Sequence, residues 1–154
     1  MTSQTYHCNA LMIDGTGIVI KGPSGSGKSS LTMGLLERAR HAGAEAHFVS
    51  DDRTLLNKEE GILTAQAPDT IRGKIELRGH GIMDFPYLEK SMVHLIVWLV
   101  NDTDLERMPA PKTTVIEDIE LPLIEVPCRH EQASVRIVFA WLKAHSNAGL
   151  SLAL

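Results

Sequence analysis

Gly22-Pro23-Ser24-Gly25-Ser26-Gly27-Lys28-Ser29 is the stretch that decides the fold. It fits G-x-x-x-x-G-K-[ST], a loop whose backbone N–H groups cradle phosphate oxygens while its lysine reaches the outer phosphates. Its glycines let the backbone wrap closely around an anion. Ser29 follows the lysine, where its hydroxyl can ligate a divalent cation. Ser30 completes the candidate phosphate-binding run from Gly22 onward.

The flanks agree with the loop. The apolar run Gly17–Lys21 reads as a strand entering it, and Ser30–Ala42 reads as a helix leaving it. Leu31, Leu35, Leu36 and Ala39 gather on one face of that helix, and Gly43 is its stop signal. A helix N-terminus at the loop adds partial positive charge where phosphate would sit.

Upstream, Ala10–Ile13 reads as a strand joined to Gly17–Lys21 through Asp14-Gly15-Thr16. Downstream, Ala46–Ser50 reads as a buried strand ending at Asp51-Asp52. Thr54–Asn57 and Ile62–Gln66 suit a hairpin across Lys58-Glu59-Glu60-Gly61. Val93–Val100 is the candidate central strand. Ile119–Val126, interrupted by Pro122, suits an edge strand. From Ala133 the spacing of Val135, Val138, Phe139 and Leu142 predicts a helix ending at Asn147-Ala148-Gly149. The pattern predicts an α/β fold with one mixed β-sheet and flanking helices, a single domain over residues 1–154.

Composition narrows the partners. The chain has 154 residues, of which 44% are hydrophobic, enough for one domain with a sizeable core. The formal charge of −4 and the scattered basic residues argue against nucleic acid as the main partner. Leu95–Val100, the longest apolar run, is far too short to span a bilayer, so no membrane partner is expected. Cys8 and Cys128 form no metal-like cluster, and with no signal peptide they suggest core thiols in a reducing cytoplasm.

Base and metal-ligand candidates come from two further segments. Asp51-Asp52 lies at the C-terminal end of a predicted strand, where ligands collect in α/β sheets. One carboxylate could hold Mg²⁺ and the other could accept a hydroxyl proton. Ile75-Glu76-Leu77-Arg78-Gly79-His80-Gly81-Ile82 packs a carboxylate, a guanidinium and two glycines into eight residues. Alone, that segment reads as readily as an exposed ion pair beside a turn.

Together these pieces resemble the catalytic domain of HPr kinase/phosphorylase, a bifunctional bacterial enzyme acting on a serine of the phosphocarrier protein HPr. Members of that family carry a histidine shortly before a G-x-S-G-x-G-K-S loop. An Asp-Asp pair, a Leu-Glu-Ile-Arg-Gly-Leu-Gly-Ile signature and a later Asp-Arg or Glu-Arg step follow. The corresponding residues here are His7, Gly22 to Ser29, Asp51-Asp52, Ile75 to Ile82, and Glu106-Arg107. The resemblance runs from Tyr6 to Gly149.

What it implies is specific. Lys28 would bind phosphate, Ser29 and Glu76 would hold Mg²⁺, and Arg107 would stabilise transferring charge. Arg78 comes with the signature, and His7 would join the site. One aspartate of the pair would move the proton, Asp52 ahead of Asp51. ATP would be the donor, and an HPr-type protein of the phosphotransferase system the acceptor. In the family's reverse reaction inorganic phosphate attacks phosphoserine and yields pyrophosphate. The resemblance also implies a homo-oligomer, a hexamer.

The chain departs from the pattern in several places. It begins almost at the catalytic domain, without the N-terminal domain of longer members, which would exclude regulation through that domain. Met83–Lys90 is shorter than its counterpart, and Ser30 stands where many members have glutamate. Pro127-Cys128-Arg129-His130-Glu131-Gln132 keeps only Pro127 and Arg129 of a Pro-Val-Arg-Pro-Gly-Arg segment linked to dephosphorylation, so the kinase direction is the better supported. Two other readings are a small-molecule kinase with the same loop and a nucleotide-binding sensor without turnover. A sensor needs a cradle but neither a base nor a charge stabiliser.

Overall fold

The computed structural model describes residues 4–145. Six strands form the main sheet: β2 (Cys8–Ile13), β3 (Thr16–Lys21), β4 (Ala46–Ser50), β10 (Leu95–Val100), β11 (Lys112–Ile116) and β12 (Ile119–Pro127). Their order is β11-β12-β10-β3-β2-β4, with β10 parallel to both β3 and β12 and the remaining pairs antiparallel. A second, antiparallel sheet has the order β1-β5-β6-β9, built from β1 (Gln4–Tyr6), β5 (Thr54–Glu59), β6 (Ile62–Gln66) and β9 (Ser91–Met92). A separate hairpin pairs β7 (Lys74–Leu77) with β8 (Gly81–Asp84). The helices are α1 (Lys28–His41) and α2 (Glu131–His145).

Strand alternation sorts the core into two layers. Leu11, Ile13, Ile18, Ile20, Leu95, Val97 and Leu99 share one buried cluster with Leu31, Leu35, Leu36, Val138 and Phe139 of the helices. The opposite face of the main sheet turns Ala10, Val19, Val49 and Ile96 toward Leu56, Leu63 and Ala65 of the second sheet. Both helices thus cover one face and the small sheet covers the other. That double coverage explains why β10 reads as a continuous apolar run rather than an alternating one.

The sheets meet most closely at Gly17. A Cβ built there would lie 1.5 Å from the Met92 carbonyl oxygen, so no other residue fits without moving backbone. His94 secures the junction: its Nδ1 accepts the Gly17 N–H at 2.9 Å, and its own N–H donates to the Gly17 carbonyl at 2.8 Å. Burial lowers the pKa of this imidazole, and the accepting Nδ1 requires the proton on Nε2.

Several expectations need correction. Ile119–Pro127 is an inner strand, and the edge belongs to β11, which the sequence pattern did not show. Pro122 is tolerated because the parallel ladder with β10 begins only at Leu123, one residue beyond it. The single mixed sheet is accompanied by the second sheet and the β7–β8 hairpin. The strand expected from Val93 starts at Leu95, while Ser91–Met92 joins the other sheet. The hairpin strand expected to stop at Asn57 continues to Glu59, and Glu60 and Gly61, both at positive φ, form a tight two-residue turn. Helix α1 begins two residues early, at Lys28, and α2 begins at Glu131. The expected stop at Asn147-Ala148-Gly149 lies outside the described residues.

Candidate active site

The parallel strands β3, β10 and β12 all end at the same edge of the main sheet, and the glycine-rich loop joins β3 to α1 there. Gly25 and Gly27 adopt positive φ, 78° and 102°, and Gly27 is the N-cap of α1 without a side-chain hydrogen bond. The first-turn N–H groups of a helix have no partners within it, so the loop and α1 present donors to an anion. Gly22 is required by close packing, since a Cβ there would lie 2.7 Å from Ser26 Oγ and 2.9 Å from Leu99 Cβ. Ser26 Oγ is itself buried without a hydrogen-bond partner.

Lys28 is nearly buried, and its ammonium donates to the carbonyls of Gly22 at 3.0 Å and Pro23 at 3.3 Å. Bent back over its own loop, it holds a positive charge where the cradle opens. Arg129 braces the loop from the other side. It sits at φ 56° just beyond β12, with its N–H 3.3 Å from the Ser26 carbonyl and Nη1 3.1 Å from the Gly25 carbonyl.

The two aspartates have different environments. Asp51 is 7% exposed and accepts three hydrogen bonds: Ser29 Oγ at 2.5 Å, Asn9 Nδ2 at 2.8 Å and the Glu76 N–H at 2.9 Å. The side chain of Asp52 is 55% exposed, and His7 Nδ1 stands 3.9 Å from its Oδ1. Asp52 also has φ 66°, the left-handed region that a non-glycine residue enters at a cost. The turn after β4 therefore sends one carboxylate inward and leaves the other facing solvent.

A cavity of about 700 Å³ unites these parts. Ser24, Gly25, Gly27, Lys28, Ser29 and Ser30 line one side, Asp51, Asp52, Glu76 and Arg78 the facing side. Gly22, Pro23 and Ser26 shape the loop without lining the cavity. His7 stands outside the lining but reaches it through Asp52. Arg107 lies on an exposed loop and does not line the cavity, so the structure does not bring it to the other site residues.

Residues not named as site candidates also belong here, and Arg129, His130 and Glu131 fall in the segment that the resemblance links to dephosphorylation. Arg129, His130, Glu131 and Ser134 close the cavity from the start of α2, and Leu99 adds an apolar patch. Burial first, and then the nearby Glu37 carboxylate, raise the Glu131 pKa from its ordinary value. Their signal was position: they follow a strand parallel to β3, at the sheet edge that collects ligands.

The donor chemistry fits Mg²⁺. The Ser29 hydroxyl donates a hydrogen bond to Asp51, which leaves its oxygen lone pairs available to a cation, and the exposed Glu76 carboxylate lies in the same cavity. No group of three His, Cys, Asp or Glu side chains able to hold a metal occurs among the described residues. Mg²⁺ commonly takes one or two protein oxygens and completes its shell with water and phosphate.

The family model for the HPr serine kinase C-terminal domain matches residues 1–148. A protein of Chlorobium phaeobacteroides (strain BS1) named HPr kinase/phosphorylase is 33% identical over 136 residues, covering 80% of this chain and 38% of the relative. One from Geobacter sulfurreducens with the same name is 26% identical over 160 residues, covering 95% of this chain and 48% of the relative. This chain thus spans less than half the length of those relatives. The solved structure of the HPr(Ser) kinase/phosphatase from Coxiella burnetii superposes with a TM-score of 0.76 at 29% identity, covering 93% of this chain and 99% of the other.

Proposed function

The chain belongs to the family of the HPr serine kinase C-terminal domain, and from that premise we propose that it transfers the γ-phosphoryl group of ATP to a serine of an HPr-type phosphocarrier protein. The observation that carries the reading is the unequal aspartate pair opposite the glycine-rich loop. Asp51 is engaged by three donors, whereas Asp52 keeps an open carboxylate on the cavity wall.

In the proposed reaction the loop N–H groups and Lys28 hold the donor's phosphates. The acceptor serine Oγ gives its proton to Asp52 and forms the new bond to the γ-phosphorus. The bond from that phosphorus to the bridging oxygen breaks, and ADP leaves with the electron pair. Ser29 and Glu76 would hold Mg²⁺, which supplies charge neutralisation at the outer phosphate oxygens. Asp51 orients the Ser29 hydroxyl for this purpose. Lys28, with Arg78 on the facing wall, compensates charge on the transferring group.

The reverse, phosphorolytic direction would use the same cradle for inorganic phosphate and yield pyrophosphate. The contact of Arg129 with the loop supports it, because that residue lies in the segment whose counterpart the resemblance links to dephosphorylation. Proton flow reverses as well, with Asp52 donating to the serine oxygen.

Incubation with labelled ATP, Mg²⁺ and purified HPr tests the reading. Serine-linked label on HPr is the expected result. Nucleotide binding without transfer to HPr would overturn it in favour of a sensor or a kinase of small molecules.

A further inference from the structure

Asn9 stands behind the aspartate pair and touches both members. It is 0% exposed, and every hydrogen-bonding atom of its side chain has a partner. Nδ2 donates to Asp51 Oδ1 at 2.8 Å and to Thr32 Oγ1 at 3.0 Å, while Oδ1 accepts the Asp52 N–H at 2.9 Å. Thr32 in turn donates to the Lys28 carbonyl at 2.8 Å. One amide thus links β2, the aspartate turn and the first turns of α1.

The orientation of that amide is settled by its partners. Turning it over would set its oxygen against the Asp51 carboxylate and its NH₂ against the Asp52 N–H, replacing two attractions by two repulsions. Asn is also the residue type suited to the place, since it offers two donors and an acceptor in a single plane. Aspartate would lack the donors, and leucine would leave the Asp52 N–H and one Asp51 bond unmade.

We propose that Asn9 is a positioning residue for phosphoryl transfer: its amide holds Asp51 against Ser29 and holds the Asp52 backbone in the left-handed conformation that turns the base toward the cavity. Two observations carry the assignment. Asp52 occupies a costly backbone region at φ 66°, and its N–H is tied to Asn9. Asp51 Oδ1, the oxygen that receives the Ser29 hydroxyl, is the one that receives Asn9 Nδ2. Asn9 does not itself line the cavity, and it reaches the site through the two aspartates that do.

This assignment rests on the kinase reading, and its test separates the two. Asn9→Ala removes both links, and the near-isosteric Asn9→Asp keeps an acceptor for Asp52 while losing the donor to Asp51. Each is measured for kcat with HPr, for the Kd of ATP by calorimetry without Mg²⁺, and for Tm. The cycle is completed with Asp52→Asn and Asn9→Ala/Asp52→Asn. The expected result is a kcat loss of at least about tenfold in both single variants, from misplacement of the base. ATP Kd should stay within about threefold, and Asn9→Ala should have little further effect once Asp52 is Asn.

A loss that tracks a weakened ATP Kd or a lowered Tm in Asn9→Asp, or a loss that simply multiplies with that of Asp52→Asn, overturns the proposal. So does an unchanged kcat in Asn9→Asp. If the unsubstituted protein transfers no phosphate to HPr, the kinase reading fails first, and the proposal falls with it.

Discussion

Ser29 donates its hydroxyl to Asp51 at 2.5 Å, joining the end of the glycine-rich loop to the end of β4 across 22 positions of chain. The bond divides the labour of the aspartate pair. Asp51 is committed to Ser29, and in the proposed reaction the exposed Asp52 is the carboxylate that would handle the proton.

That division predicts different defects for two substitutions. Lys28→Ala should weaken ATP binding and slow transfer, because the loop loses its cation. Asp52→Asn should lower kcat by about 10²- to 10⁴-fold, the range for losing a general base. It should leave the Kd of ATP nearly unchanged. Steady-state kinetics with HPr, together with calorimetric ATP titration, distinguish the two, and full turnover by Asp52→Asn would remove Asp52 from its assigned role.

Gly17→Ala should be among the most damaging single-methyl additions in the chain. The added carbon would lie 1.5 Å from the Met92 carbonyl oxygen, and only separation of the two sheets can relieve it. A loss of about 2 kcal/mol or more is expected, from overpacking together with breakage of the paired Gly17–His94 hydrogen bonds. Urea unfolding measures it directly.

Acid should destabilise the protein through His94. Burial lowers its folded pKa below 6.5, so in the unfolded chain it takes up a proton at higher pH than in the folded one. Its contribution is therefore complete above about pH 6.5 and is lost as pH falls from there through the folded value. Tm measured between pH 7.5 and 5 should decline over this interval. In His94→Asn, whose amide oxygen can still accept the Gly17 N–H, the decline should be shallower.

Light scattering checks the oligomer implied by the resemblance. The expected mass is a multiple of 16.9 kDa, with six copies as the specific value. A monomer mass at micromolar concentration would refute it.

Much of the site was legible because its signals are local. The glycine spacing of Gly22–Ser29, the apolar strand before it and the helical periodicity after it all act within a few residues, and the structure places β3, the loop and α1 accordingly. Strand β4 was read to its observed ends because the short stretch carrying Ala46, Phe48 and Val49 runs directly into two aspartates. Misreadings arose where distant pairing decides the outcome. Pro122 looks like an edge signal until the offset of the parallel ladder is known, and Val115 and Thr113 of β11 become strand residues only by pairing with β12. Arg107, a motif step in sequence, sits on an exposed loop and does not line the cavity.

By itself, then, the sequence determined a phosphate-type loop between strand and helix, an acidic turn at a strand end and the family to which the chain belongs. Only the tertiary structure assigned unequal parts to Asp51 and Asp52, brought Arg129 onto the loop and placed Asn9 behind the pair. The reason is physical. Backbone conformation and periodicity are written over neighbouring residues, but burial and hydrogen bonding depend on groups far apart in the chain. Asn9 and Asp51 are 42 positions apart, and Arg129 and Gly25 are 104 apart. A polar residue inside the apolar run Cys8–Ile13 is a faint mark on paper, and folding turns it into the support of the aspartate turn.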